Sequence, residues 1–200
     1  DGTLWISSTS GFLTLSPEKT LTKIELPSTV KSAGGPFSFR LVRYKKVVIW
    51  FKSGSSSLYS FEPHTKTFNH HSLNGILGID ISSLTTSSIA IDSSDNIWLG
   101  TEQGLISFNR NKETFEVFSE ESTKRIGQAL IYAMDFDSFG NLWIGAASIG
   151  LVKYENRAIL KSYSHTPGDL TTLSPGWVNH IIESSDGKIW ITTSDQTGGI

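Results

Sequence analysis

The chain has 200 residues, 38% of them hydrophobic, enough to bury a substantial core and to exclude a disordered segment despite the many Ser, Thr and Gly. A formal net charge of −2 leaves no basic surplus for phosphates or anionic lipid, so nucleic acid and membrane contact by this segment are set aside. With no cysteine there is neither a disulfide framework nor a thiolate metal site, and no cofactor is expected.

No apolar run approaches the ~20 residues that span a bilayer, and no signal-peptide pattern opens the chain. Asp1 falls in the middle of a repeat, so any such segment is expected upstream.

The repeat is anchored on tryptophan. Trp5, Trp50, Trp98, Trp143 and Trp190 are separated by 45, 48, 45 and 47 residues, and Trp177 alone lies outside the register. That period suits four-stranded propeller units, whereas helical solenoids need apolar spacing at i, i+3, i+4, which is missing. Each unit is read as four short strands, A to D from the axis outward, rich in Ile, Val, Phe, Tyr and Trp and punctuated by Gly, Asp, Asn and Ser.

In chain order, residues 1–6 form a strand B without its strand A, followed by C at 11–15 and D at 21–26. The second unit runs 37–42, 47–51, 58–61 and 67–71; its A–B turn, Arg43-Tyr44-Lys45-Lys46, lacks Asp and Gly, so this blade is expected to be the least regular. The third runs 88–91, 97–100, 105–108 and 114–118, and the fourth 130–136, 142–145, 151–154 and 159–163. The last supplies 178–183, 189–193 and the start of a third strand at 198–200. The blade pieces are 1–35, 36–72, 73–119, 120–164 and 165–200, all within one partial propeller over 1–200. A closed ring leaves no place for strand 189–193, so the chain reads as an all-β arc of about four repeats from a larger β-propeller of about six to eight blades; the family resemblance given below implies about seven.

Asp, Asn and Gly before each Trp strand tolerate the positive φ of a tight two-residue hairpin. Gly100 and Gly145, two residues after a Trp, let the strand approach a neighbour closely. In Ile97-Trp98-Leu99 both faces are apolar, so the five register tryptophans are read as structural residues stacked between blades. Burying one such indole is worth ~4–6 kcal/mol as an upper bound.

The A–B and C–D turns are short, whereas the D–A connections at 72–87, 119–129 and 164–177 are long. Function concentrates on long loops, so the D–A/B–C end is the expected binding face. Candidate ligand contacts there are Glu102, Gln103, Lys124, Arg125, His165 and Trp177, a set suited to a sugar with the indole against its apolar face. The bland alternative has Trp177 stapling its own loop to the blade.

Catalytic and metal chemistry is not evident. His70 and His71 are adjacent on a strand and point to opposite faces, and His165 and His180 lack a carboxylate or second His at ligand spacing. Gly34-Gly35-Pro36 is a loop breaker, and no Gly-x-Ser-x-Gly elbow occurs. Asp92-Ser93-Ser94-Asp95-Asn96 is a hairpin turn without the later Glu of a calcium loop.

Taken together, Ile91-Asp92-Ser93-Ser94-Asp95-Asn96-Ile97-Trp98-Leu99-Gly100-Thr101 with Gly104-Leu105 and Phe108 resembles the two-component regulator propeller repeat. Asp137-Ser138-Phe139-Gly140-Asn141-Leu142-Trp143-Ile144-Gly145 with Gly150-Leu151 and Tyr154 matches it again, and His165-Thr166-Pro167-Gly168-Asp169-Leu170-Thr171-Thr172-Leu173-Ser174 looks like the family's D–A connection. The resemblance covers nearly the whole chain, strong at Trp98 and Trp143 and poor at Trp50. It implies the periplasmic sensor region of an inner-membrane hybrid histidine kinase, responding to oligosaccharides and signalling through a homodimer. The family's sensors carry two seven-bladed propellers, a β-sandwich, a membrane helix and the kinase, so kinase activity belongs to the parent protein and this segment is not an enzyme. The family's ligand residues lie outside its repeat motif and are not carried over.

Two other classes stay open. A structural or protein-interaction propeller predicts a conspicuous apolar patch on the D–A face. A propeller lyase or glycosidase requires a close carboxylate pair or a His-centred acid/base site in the same loops.

Overall fold

The computed structural model describes residues 2–8, 11–31, 38–44, 46–52, 57–72, 88–101, 104–118, 126, 130–147, 149–155 and 158–194. Among them the chain is all-β, with one helical turn, α1 (Ser28–Lys31). Its contacts divide into two units, Asp1–Gly75 with Ile79–Ser83, and Ile76–Gly78 with Leu84–Ile200.

The first unit holds two antiparallel sheets. Strands β1 (Leu4–Ser8), β2 (Gly11–Leu15) and β3 (Leu21–Ile24) pair in order, and β4 (Ser38–Tyr44), β5 (Lys46–Lys52), β6 (Ser57–Glu62) and β7 (Thr67–Ser72) form a four-stranded meander. Their shared core is aromatic. Phe12 meets Phe51 edge-on at 5.0 Å, Phe51 stacks on Tyr59 at 5.3 Å, and Phe61 stacks on Phe68 at 4.3 Å. Val30 and Leu26 close the cluster from the connection after β3, where the Val30 N–H donates to the Pro27 carbonyl.

The expectation that the second blade is the least regular is not met in its strand pairing. From Ser38↔Lys52 to Tyr44↔Lys46, and on through β6 and β7, its register runs without a shift. Trp50 and Phe51 are buried within this sheet, so packing rather than turn chemistry holds the pairing.

The second unit contains β8 (Ser88–Ile91), β9 (Ile97–Thr101), β10 (Gly104–Asn109) and β11 (Thr114–Phe118), then β12 (Ile131–Phe136), β13 (Leu142–Ala146), β14 (Gly150–Glu155) and β15 (Ala158–Tyr163). A two-stranded sheet, β16 (Trp177–Glu183) and β17 (Ile189–Ser194), follows. The first strand of each sheet is innermost, with β12 beside both β8 and β16. The predicted strands are recovered with ends shifted by up to three residues, the most at the first, expected at 1–6 and found at Leu4–Ser8, and the third strand expected at 198–200 lies outside the described residues.

Both glycines placed after a Trp do what their position suggests. A Cβ on Gly100 would lie 2.6 Å from Ile131 Cγ2, and one on Gly145 would lie 2.5 Å from Val178 Cγ1. Each glycine therefore admits a branched side chain near the start of the next inner strand, Ile131 or Val178. The blade-to-blade cores form around these contacts, one on Leu105, Ile131, Met134 and Ile144, the other on Trp143, Leu151, Val178 and Ile181.

The turns before the Trp strands differ from the two-residue hairpin expected. Asp92 N–H bonds the Asn96 carbonyl, Asp95 N–H bonds the Asp92 carbonyl, and a single residue, Asp95, takes φ 63°. Gly140 (φ 85°) and Gly187 (φ 78°) occupy the same place in the next two turns. The loop is longer than a two-residue hairpin and needs one left-handed residue, which Asp or Gly supplies.

Candidate functional site

In both complete blades of the second unit the turn and the tryptophan are one construction. Asp92 Oδ1 accepts from the Ser94 and Asn96 N–H groups, while its Oδ2 accepts from Asn96 Nδ2 and, at 3.0 Å, from Trp98 Nε1. Asp137 repeats this with Phe139, Asn141 and, at 2.8 Å, Trp143 Nε1. In the last sheet Ser184 Oγ takes the place of the carboxylate, 3.2 Å from Trp190 Nε1. Burial pushes the Asp137 carboxyl up, but hydrogen bonds from the Asn141 amide, the Trp143 indole and the Asn141 and Phe139 N–H groups outweigh it and hold it below the ordinary value. The Asp-to-Trp spacing of six was visible in the sequence, but its meaning as an acceptor for the indole was not.

Trp190 departs from the other register tryptophans. It is 61% exposed beside Ile182, its cross-strand partner, because no described strand covers that face of β16 and β17.

Of the residues expected to contact a ligand, Glu102, Gln103, Lys124 and Arg125 lie outside the described residues. His165 and Trp177 bracket the D–A connection that leads into β16. His165 Nδ1 donates to the Leu173 carbonyl at 2.8 Å, which closes the loop. Within it, Asp169 Oδ1 accepts from both the N–H and the hydroxyl of Thr171, and these bonds lower its carboxyl below the usual range. Trp177 opens β16 at the end of that loop. Its ring stacks on Tyr132 of β12 at 5.2 Å and 15°, and 53% of the residue stays exposed.

Tyr132 was missed by sequence reasoning. It sits at a register shift between Ile131 and Ala133, and a matching shift between Val178 and His180 marks β16. Bulges re-aim side chains and are common beside binding sites. The outcome is a flat aromatic pair spanning two adjacent inner strands at the D–A/B–C end.

Two clefts formed by described residues lie at the opposite, A–B/C–D end. One of about 480 Å³ runs between the third and fourth sheets, floored by Trp98, Phe118 and Phe136 and edged by Ser107, Glu116 and Glu155. A second, of about 450 Å³, lies among the A–B turns and includes Asp92, Asp137 and Glu183. There Glu183 receives both the N–H and the hydroxyl of Ser138, at 2.6 and 2.8 Å, and ties β16 to the preceding turn.

Residues 172–195, from the end of the D–A connection through β17, match the family model of the two component regulator propeller. The matched segment is similar to that family's repeat. This propeller chain is similar to the crystallised extracellular domain of a putative hybrid two component system from B. thetaiotaomicron, at 20% identity and a TM-score of 0.72, over 96% of this chain and 25% of that one. It is similar to a second such domain from the same organism at 17% identity and a TM-score of 0.54, over 96% and 31% of the two chains. PorZ, a surface component of the type-IX secretion system of Porphyromonas gingivalis, aligns at 14% identity and a TM-score of 0.67, over 96% and 30%. The propeller chain thus spans about a quarter to a third of the length of these proteins, and at such identities the likeness shows the fold. No curated protein matches it.

Proposed function

We propose that this chain is a non-catalytic, extracytoplasmic ligand-sensing segment of a two-component sensor histidine kinase, part of a larger propeller ring. The observation that carries the reading is the match of residues 172–195 to the two component regulator propeller model. The likeness in fold to two extracellular domains of hybrid two component systems supports it. Among the described residues no helix is long and apolar enough to cross a membrane, so on this reading the anchor and the kinase belong to other parts of the parent protein.

The ligand class is an oligosaccharide, bound at the D–A/B–C end, with the signal passed through a dimer of the parent. Trp177 over Tyr132 supplies a flat apolar surface for a pyranose face, the loop closed by His165 fixes its position, and Glu102, Gln103, Lys124 and Arg125 supply polar contacts. Calorimetry and thermal-shift screening against a broad panel of soluble oligosaccharides is expected to give saturable binding that Trp177→Ala removes. A panel without a saturable binder, or a binder indifferent to Trp177→Ala, overturns the reading.

A further inference from the structure

The third and fourth sheets carry the same row of positions across their second, third and fourth strands, and the two rows hold different side chains. In the fourth sheet, Trp143 pairs with Lys153 and Lys153 with Lys161, so the three side chains share one face. Lys153 Nζ stands over the Trp143 ring at 5.7 Å, and Lys161 Nζ over the Tyr163 ring at 4.7 Å. The protein thus shows which chemistry this aromatic groove accepts: an ammonium ion held over ring faces.

In the third sheet the corresponding row is Trp98, Ser107 and Glu116, with Phe118 in the place of Tyr163. Both lysines are missing. A hydroxyl and a carboxylate stand at their positions, the aromatic floor remains as Trp98 stacked on Phe118 at 4.8 Å with Phe136 edge-on at 5.8 Å, and the volume opens as the cleft of about 480 Å³. Among the described residues that line it, the carboxylates of Asp92, Glu116 and Glu155 stand with the ammonium of Lys112 on the exposed C–D turn. Asp92 also fixes the indole edge, so the Trp98 face is presented in one orientation.

We infer that the cleft between the third and fourth sheets is a binding site for a small organic ammonium compound, which takes the place that Lys153 and Lys161 fill one blade later. Its volume lies within the range of small-molecule sites, and its combination of aromatic floor and acidic edge favours a cation over a neutral molecule of the same length. The site is at the end of the blades opposite Trp177 and is independent of the oligosaccharide reading.

The test uses the whole chain and two probes of equal length, 1,5-diaminopentane and pentane-1,5-diol, followed by the indole N–H resonances. The diamine is expected to shift the Trp98 indole signal saturably while the diol does not. The double variant Ser107→Lys with Glu116→Lys, which copies the row already present in the fourth sheet, is expected to lower diamine affinity by about tenfold. Glu116→Gln, the milder change, is expected to lower it by about threefold with thermal stability preserved. Absence of diamine binding, equal binding of the diol, or affinity unchanged in both variants overturns the proposal.

Discussion

Trp143 donates its indole N–H to Asp137, six residues earlier, at 2.8 Å, and the same carboxylate holds the turn between them. One side chain therefore sets both the shape of the A–B turn and the orientation of the indole wedged against the next sheet. Asp137→Ala removes the acceptor and leaves the Asn141 and Trp143 donors to find water. It is expected to cost about 1–2 kcal/mol, toward the low end for a charged hydrogen bond because the carboxylate is partly solvated. Urea unfolding measures this, and Trp143 emission is expected to move to the red; no change in either contradicts the linkage.

The same carboxylate makes stability depend on acid. Asp137 titrates below the ordinary 3.8 in the folded chain, so its stabilisation is fully present above about 3.8 and is lost as pH falls through the lower folded value. Below pH ~3.8 the wild-type chain is expected to lose stability more steeply than Asp137→Asn, whose side chain does not titrate. Parallel denaturation curves across that range, with equal slopes against pH, count against the assignment.

Gly145 is set by the neighbour rather than by its own backbone. An added methyl meets two Val178 side-chain atoms at 2.5 and 2.6 Å and the Val178 carbonyl at 3.0 Å, so Gly145→Ala is expected to cost about 1–3 kcal/mol. Adding Val178→Ala removes the Cγ1 contact and leaves those with Cβ and the carbonyl, so the clash is relieved in part and the double variant is expected to be more stable than the sum of the single changes predicts. Strict additivity in thermal unfolding argues against this contact.

The C–D turn from β10 to β11 carries Glu113 at φ 53°, a conformation that costs a residue with a Cβ. Glu113→Gly is expected to stabilise the chain by about 0.5–1 kcal/mol, net of the added freedom of the unfolded state. A lower midpoint in chemical denaturation contradicts the expectation.

The repeat was legible because a blade is a local object. Trp98 and Trp143 recur with their Asp-containing turns, alternating apolar residues and following glycines, and pairing within a meander is between neighbours in sequence. The regularity of the second blade was misjudged from Arg43-Tyr44-Lys45-Lys46, because turn chemistry was weighed without the packing of Trp50 and Phe51 that holds the strands in register.

By itself the sequence determined the fold class, the strand order within each sheet and the places where sheets approach closely, since all three follow from side-chain period and glycine position. Only the tertiary structure decided what faces what. That Tyr132 lies under Trp177, that Asp137 reaches the indole of Trp143, and that Ser107 and Glu116 stand where Lys153 and Lys161 cover the next aromatic floor are facts of register and inter-blade packing. Such relations join residues whose individual identities carry no sign of one another, because they arise only once a bulge has turned a strand and one sheet has been laid against the next.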